Sequence, residues 1–462
     1  MKSKIVKKIS CAILAFLCLS CSDFIVVDSP KTELVKATVF ENDDTANAAV
    51  LGLYNQMRTS GFASGDLMSV SFVCGLASDE LLSYSINPSI SQELEQFNKN
   101  NLISANTIVE SLWNQSYNFV YQSNAILEGL ENESSKVSEE MQSQLTGEAK
   151  FIRAFCHFYL VNLFGDVPLV LTTHWDENKK IQRTPSDIVY EQIITDLQES
   201  IAILGDNYSH SNDEKVRINK KASQALLARV YLFTNNWISA EQEATHIIDS
   251  GIYNLETFEN SFLKNNNEAI WQLSSDYGNS SEAYTYFSSG LPANAAFTSE
   301  LWAAFEIEDQ RKTHWVNSST DGTSQYYFPY KYKAITPQPI TEYTTILRLA
   351  ELYLIRAEAR SEQEKLTEAL QDVNAIRARA GLIALGSLSK DQLIEAILQE
   401  KRIEFFTEWG HRWLDLKRKN VVDDYMQVVK PNSWQTAAQL FPIPESQLTN
   451  SASTSNSQNP GY

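Results

Sequence analysis

Apolar residues recur at helical spacing along most of this chain. In residues 138–163, Met141, Leu145, Ala149 and Ile152 follow one another three or four positions apart, which places them on one face of an α-helix. The same periodicity predicts helices over residues 43–58, 112–130, 138–163, 188–204, 221–234, 237–250, 346–360, 365–380 and 390–408. The pattern therefore predicts an all-α fold.

Two pairs of these helices share one internal pattern. Ala228 and Ala240 stand twelve positions apart across a turn, and so do Ala357 and Ala369. Small residues at such points let two antiparallel helices approach closely, as in a tetratricopeptide-type hairpin. The alternative is that each pair is an ordinary tight αα-hairpin that is unrelated to the tetratricopeptide repeat.

The helical periodicity breaks down over residues 258–340. This segment is rich in Asn, Ser, Tyr and Pro, with clusters such as Tyr326-Tyr327-Phe328-Pro329. A long irregular segment within a helical protein is usually functional. We therefore expect a loop-rich insertion that faces the ligand, and a second irregular region over residues 433–462.

The N-terminus has the pattern of a signal peptide. Four lysines precede an apolar stretch over residues 9–19 that is too short for a membrane span. Ser20 lies immediately before Cys21, the arrangement found where a cysteine is lipidated and becomes the new N-terminus. We expect Cys21 to carry a lipid anchor. The alternative is ordinary cleavage that leaves a free thiol.

Charge and composition exclude some classes of function. The chain has 38 Lys and Arg against 57 Asp and Glu, a formal net charge of −19. No basic run appears beyond the N-terminus, whereas proteins that bind duplex DNA present a basic patch, so we expect no nucleic-acid partner. The chain also contains 20 Tyr, 21 Phe and 9 Trp. Aromatic side chains on an acidic surface suit neutral or cationic ligands better than phosphates.

The sequence offers little catalytic chemistry. It contains no zinc-protease, nucleophile-elbow or phosphate-loop motif, and its six histidines are scattered without metal-ligand spacing. Asp79 and Glu80 are a candidate acid pair, but neighbours in sequence rarely face one site on regular structure. We expect no enzymatic activity, no metal and no cofactor.

Two further features have open interpretations. Cys74 and Cys156 remain once the signal segment and Cys21 are set aside, and they either pair as a disulfide or stay as buried thiols. Residues 400–418 alternate acidic and basic side chains three or four positions apart. That spacing favours a lattice of ion pairs over an anion-binding site.

Motifs across the whole chain resemble one family, the SusD/RagB-type outer-membrane lipoproteins of Bacteroidota. The helix GEAKFIRAF at residues 147–155 leads into the turn LFGDVPLV at residues 163–170. Further matching segments follow in the family's order: NKKA at 219–222, NEAIW at 267–271, LRLAELYLIRAEA at 347–359, NAIRARAGL at 374–382, EKRIEF at 400–405, RWLDLKR at 412–418, LFPIP at 440–444 and QNPGY at 458–462.

The resemblance implies an all-α, tetratricopeptide-like scaffold with an irregular, ligand-facing half. It divides the chain into a lipoprotein signal peptide (1–20), an N-terminal helical region (21–230) and a C-terminal region (231–462) that form one compact unit. It also implies an outer-membrane, surface-exposed lipoprotein that partners a SusC-type TonB-dependent transporter. The implied ligand is an oligosaccharide. The alternatives are a peptide or other oligomer carrier of the same family, or a glycan-degrading enzyme.

No motif identifies the ligand site. We therefore predict its position from the aromatic residues that lie outside the main predicted helices, because aromatic residues within those helices are needed for packing. We expect ring platforms and hydroxyl partners in the insertion and in an early irregular segment. The alternative is that these side chains pack the insertion's own core or face the transporter. The candidate ligand-binding residues are Phe62, Asp66, Asp79, Tyr84, Tyr277, Tyr284, Tyr286, Trp315, Tyr326 and Tyr327.

Overall fold

The structure is a computed structural model that describes residues 38–59, 61–274, 278–450 and 457–462. The signal segment, Cys21 and Tyr277 lie outside the described residues. In the described part of the chain, the helices are α1 (Asp43–Thr59), α2 (Val70–Ala77), α3 (Ser91–Asn98), α4 (Thr107–Glu131), α5 (Glu139–Phe164), α6 (Trp175–Asn178), α7 (Ser186–Ile203), α8 (Lys220–Phe233), α9 (Trp237–Ile248), α10 (Ser281–Tyr286), α11 (Ser299–Ala304), α12 (Gln310–His314), α13 (Leu349–Glu362), α14 (Leu366–Arg379), α15 (Lys390–Glu404), α16 (His411–Arg418), α17 (Val422–Val429) and α18 (Glu445–Asn450).

Short strands join these helices. They are β1 (Leu81–Ser83), β2 (Val167–Pro168), β3 (Arg183–Thr184), β4 (Ala269–Leu273), β5 (Ala295–Phe297), β6 (Val316–Thr320), β7 (Gln325–Pro329) and β8 (Thr344–Arg348). They form antiparallel pairs, β1 with β5, β2 with β3, β4 with β8 and β6 with β7. The strands are minor elements, and the predicted all-helical fold is confirmed.

The central helix, α5, explains how the sequence builds the core. Its first turn is capped by Ser138, whose hydroxyl accepts a hydrogen bond from the Met141 N–H, and it ends at Gly165 in a positive-φ conformation. Between these ends, Phe155 packs edge-on against Trp271 and Trp409, with ring centroids 5.6 Å apart in both pairs. One helix thus ties the N-terminal helices to the C-terminal half.

The two predicted helical hairpins are present. Helices α8 and α9 form the first, and α13 and α14 form the second; α9 also packs on α13. Ala228, Ala240, Ala357 and Ala369 are all fully buried, because each lies where two helices meet. The tetratricopeptide-like scaffold therefore follows from small residues at the helix contacts.

The structure corrects one end of two predicted helices. The helix predicted from residue 346 begins at Leu349, because Thr344–Arg348 is strand β8 paired with β4. The helix predicted to reach residue 408 ends at Glu404. The predicted division between the two regions, at residues 230 and 231, falls within α8.

The predicted insertion, 258–340, carries more structure than its composition suggested. It contains α10, α11, α12 and strands β4 to β7. Strand β5 lies beside β7 and pairs with β1 from the early irregular segment. The two regions expected to form the ligand site are therefore brought together. None of the helices in the described residues is long and apolar enough to cross a membrane.

Candidate functional site

An aromatic pair lies where the early segment meets the insertion. The rings of Tyr84 and Tyr326 meet edge to face, with centroids 5.5 Å apart, and both side chains are half-buried. Tyr84 follows β1, and its backbone N–H donates to the Asn294 carbonyl at 2.7 Å, just before β5. Strand alternation places Leu82 on the same side as Tyr84, and Leu82 is also exposed.

A third tyrosine, Tyr284, lies on helix α10. Tyr284 is 76% exposed. The adjoining residue, Thr285, offers its carbonyl to the side-chain amide of Asn294 at 2.9 Å, so α10 is held against the strand that positions Tyr84. We call Tyr84, Tyr284 and Tyr326, together with Leu82, the aromatic patch.

The β6–β7 turn places a carboxylate next to the patch. Gly322 at the tip has a positive φ, which a glycine adopts readily. Asp321 accepts hydrogen bonds from the N–H groups of Thr323 and Ser324, both at 2.8 Å, and from the Tyr326 hydroxyl at 3.0 Å. These bonds lower the pKa of Asp321 below its usual value. The patch therefore combines apolar ring surface with an ionised hydrogen-bond acceptor.

Tyr327 lies on the opposite face of β7 from Tyr326, because side chains alternate along a strand. Its ring stacks on Trp302 of α11, with centroids 3.5 Å apart and planes 10° from parallel. The ammonium of Lys312 lies 3.9 Å from the Trp302 centroid. Tyr327 thus braces the hairpin against α11. Trp302 is a half-buried aromatic residue that the sequence analysis missed, although it lies in the same Tyr-rich insertion.

Three aromatic candidates are buried, which corrects their expected role as platforms. Phe62 is 1% exposed and packs against Phe155 and Tyr159. Tyr286 is 5% exposed and stacks on Phe72. Trp315 is fully buried, and its indole N–H donates to the Phe258 carbonyl at 3.1 Å. In this structure these rings present no face to a ligand.

Asp79 is also buried, and it anchors the fold instead of facing a ligand. Its carboxylate accepts hydrogen bonds from Arg402, from Arg412 Nε at 2.7 Å and from the Tyr425 hydroxyl at 2.7 Å. The two guanidinium groups outweigh burial and keep its pKa low. Burial and the adjacent Asp79 charge raise the pKa of Glu80 to about 8. Asp79 and Glu80 therefore differ in protonation, but both lie in the interior.

Asp66 is half-buried beside α10. Its carboxylate accepts a hydrogen bond from the Met68 N–H at 2.8 Å, and burial raises its pKa. The preceding Gly65 packs so closely on α10 that a Cβ there would lie 2.1 Å from the Glu282 carboxyl carbon. Asp66 thus lies near the helix that carries Tyr284, although its carboxylate forms a hydrogen bond within its own loop.

The inward face of α10 buries a carboxyl group. Glu282 accepts a hydrogen bond from the Thr344 hydroxyl at 3.1 Å. Burial, only partly offset by the nearby Arg58 charge, raises its pKa to about 7. The helix that carries Tyr284 is therefore seated on an acid that titrates near neutral pH.

The charged run at residues 400–418 forms the predicted lattice of ion pairs. Glu404 contacts Arg311, Arg348 and Arg379; Glu404, Arg311 and Arg348 are buried, and Arg379 is half-buried. Arg418 pairs with Glu358 in the same way. Because Arg311, Arg348, Arg379 and Arg418 already have carboxylate partners, these cations are part of the scaffold, and an anion site is not supported at any of the four.

Cys74 and Cys156 are both free and buried. The disulfide alternative is therefore wrong in this structure, and burial raises the pKa of the Cys74 thiol to about 12. Within the described residues, no group of three or more His, Cys, Asp or Glu side chains is arranged to hold a metal ion.

Comparison with known proteins identifies the scaffold. A family described as "Starch-binding associating with outer membrane" matches residues 67–232, and one described as "SusD family" matches residues 311–462. The chain belongs to the SusD/RagB family. SusD-like protein P25 of Formosa agariphila is 24% identical, over 93% of this chain and 92% of the relative. A SusD-like protein of Bacteroides ovatus is 25% identical, over 90% and 82%.

Solved structures share the SusD fold with this chain. A SusD superfamily protein from Parabacteroides distasonis superposes with a TM-score of 0.78 at 21% identity, covering 91% of this chain and 99% of that one. A laminarin-binding SusD-like protein superposes with a TM-score of 0.71 at 22% identity, covering 92% and 100%. At these identities the likeness extends to the fold alone.

Proposed function

We propose that this SusD/RagB family member binds an oligosaccharide at the aromatic patch and delivers it to a SusC-type TonB-dependent transporter. The observation that carries the proposal is the contact of the Tyr84 and Tyr326 rings on the surface where the early segment meets the insertion, with the exposed Tyr284 on helix α10, which is hydrogen-bonded to the same region. A laminarin-binding protein with the same fold supports a glycan as the ligand class.

The chemistry of the patch suits a neutral sugar chain. Sugar rings present C–H faces that pack on tyrosine rings, and a surface of a few aromatic groups with well-placed polar atoms is typical of ligand sites. Asp321, ionised beside Tyr326, accepts hydrogen bonds from sugar hydroxyls. The same carboxylate repels polyanionic glycans. Capture is a binding event and makes or breaks no covalent bond.

Delivery requires an anchor and a partner. We propose that Cys21 carries the lipid and holds the protein at the outer membrane, facing the outside of the cell. Acylation with more than one chain gives stable membrane attachment. The transporter is proposed because a lipid-anchored binding protein that captures an oligosaccharide needs a separate channel to bring it into the cell.

A panel of polysaccharides tests the proposal. Full-length protein in detergent is run through native gels that contain laminarin, starch, a β-mannan or polygalacturonate, and reducing ends are assayed in parallel. We expect slower migration with at least one neutral glycan, none with polygalacturonate, and no new reducing ends. Release of reducing ends would identify an enzyme. Retention by casein peptides, with no glycan retained, would identify a peptide carrier.

A further inference from the structure

A second groove lies apart from the aromatic patch, between α15 and the α16–α17 region. It encloses about 1120 Å³, slightly more than the usual range for small-molecule pockets. Its apolar lining includes Ile394, Leu398 and Leu416, and Arg402, Arg412 and Tyr425 line it as well. The glycan site proposed above uses none of these residues.

The two arginines in the groove have hydrogen-bonding capacity to spare. Arg402 contacts Asp79 through Nη2, and Arg412 contacts it through Nε and Nη2. Among the described residues, the Nη1 groups of both arginines have no hydrogen-bond partner, and neither does the buried Nε of Arg402. A guanidinium group has five N–H donors. The hydrogen bonds to Asp79 therefore leave several N–H donors of both arginines without an acceptor among the described residues.

The local charge balance also favours an incoming anion. Asp79 is the carboxylate that faces both guanidinium groups. Glu80, the other acid whose charge acts on Arg412, is held protonated near neutral pH, since burial raises its pKa to about 8. Two positive charges therefore oppose one negative charge at this part of the groove. A carboxylate from outside would accept charge-assisted hydrogen bonds there.

The rest of the groove carries charges of both signs, but its lysines, Lys390 and Lys419, are already paired with Glu362. Asp391 and Glu395 line it from α15, and neither forms an ion pair within the described residues. Glu395 precedes Arg402 by seven residues, which is about 10 Å along a helix. An extended peptide advances about 3.3 Å per residue. A complementary segment would therefore carry an acid and, about three residues away, a base.

The lining distinguishes a peptide from a glycan. Sugar rings pack on exposed aromatic faces, but the ring of Tyr425 is already covered by the Arg412 guanidinium at 4.7 Å. The remaining apolar lining named above is aliphatic, which suits Leu, Ile or Val side chains. We propose that this groove docks an extended segment of a partner protein, with an Asp or Glu at Arg402 and Arg412, a Lys or Arg at Glu395, and aliphatic residues between them.

Selection from random peptides tests this proposal without knowledge of the partner. Twelve-residue peptides displayed on phage are selected on full-length protein in detergent. We expect enriched peptides to carry an acid and a base about three residues apart, separated by aliphatic residues. Absence of enrichment over the blank surface, or enriched peptides without a carboxylate, would overturn the proposal.

Charge exchange then locates the peptide. For the best synthetic peptide, Asp or Glu replaced by Asn or Gln should weaken binding at least tenfold, and so should Glu395→Lys in the protein. Exchanging the peptide's Lys for Glu should restore affinity to the Glu395→Lys variant. Val428→Lys is the matched control, because Val428 is exposed on α17 but does not line the groove; it should bind as the wild type does.

Two outcomes would contradict the assignment. Equal affinity for wild type and for Leu398→Lys, a substitution at the half-buried aliphatic lining, would place the peptide elsewhere. Displacement of the peptide by oligogalacturonate at comparable concentration would assign the groove to acidic glycans instead. Unchanged melting temperatures of the variants confirm that the fold is retained in each comparison.

Discussion

At the scale of single residues, Glu404 is the carboxylate on which the buried lattice depends. It is fully buried and contacts three guanidinium groups, from Arg311, Arg348 and Arg379. These charges outweigh burial and lower its pKa far below the usual value. Removing one partner from a buried ion pair leaves the other charges uncompensated.

Glu404→Gln should therefore lower the free energy of unfolding by about 3–5 kcal/mol. The measurement is the midpoint of urea-induced unfolding, followed by circular dichroism. Glu395→Gln is the control, since Glu395 is exposed, and its midpoint should stay close to the wild type. A similar midpoint for both variants would mean that the lattice contributes little to stability.

Glu282 predicts how stability depends on pH. Its pKa is raised to about 7 in the folded protein, whereas an unfolded glutamate titrates near 4.5. The folded state therefore binds the extra proton between these values, and stability falls as pH rises from about 5 to 8. Glu282→Gln should therefore reduce the loss of unfolding free energy over this pH range by up to about 3 kcal/mol.

Chemical denaturation of wild type and Glu282→Gln at pH 5, 6, 7 and 8 measures the effect. Because Glu80 titrates in both proteins, the informative quantity is the difference between the two curves. We expect the variant to gain stability relative to wild type as pH rises. Parallel curves would show that Glu282 does not titrate in this range.

The sequence predicts a region for the site but does not separate its exposed residues from its buried ones. The same sequence criterion predicts Tyr84, Tyr284 and Tyr326 as ring platforms and also Phe62, Tyr286 and Trp315. The first three reach the surface, whereas the other three are buried. Tyr284 and Tyr286 are two positions apart on one short helix. Their exposure depends on which face of α10 packs against Phe72, a long-range contact that local sequence does not encode.

At the scale of elements, the hairpins depend on small residues where helices meet. Ala369 is fully buried within the α13–α14 hairpin. Replacing it with Leu inserts three carbon atoms into a packed contact. We expect Ala369→Leu to lower the free energy of unfolding by about 1–3 kcal/mol. Thr367→Leu on the exposed side of the same helix should change it by less than about 0.5 kcal/mol.

Thermal unfolding of both variants checks this expectation. A melting temperature for Ala369→Leu equal to that of Thr367→Leu would show that close approach of the helices is not required. The hairpins were predictable because their periodicity is long and regular. Strand β8 was not, since Thr344–Arg348 continues into the apolar pattern of α13 and only its pairing with β4 distinguishes the two.

At the scale of the whole molecule, the proposed lipid anchor at Cys21 predicts where the protein resides. If Cys21 carries the lipid, Cys21→Ala should leave the fold intact and move the protein from the membrane fraction to the soluble fraction. The measurement is immunoblotting of cell fractions in a strain that lacks the proposed transporter, so that a protein partner cannot retain the variant. Unchanged membrane retention would refute Cys21 as the anchor.

The most direct measurement of the proposed function is titration calorimetry with the neutral glycan that the gel panel identifies. Tyr84→Ala combined with Tyr326→Ala removes both rings of the aromatic pair. Each ring contributes about 0.5–1.5 kcal/mol beyond area burial, so we predict at least a tenfold loss of affinity with little change in melting temperature. Trp175→Ala, at an exposed ring outside the patch, should bind as the wild type does. Affinity of the double variant within twofold of wild type would contradict the assignment of the aromatic patch as the glycan site.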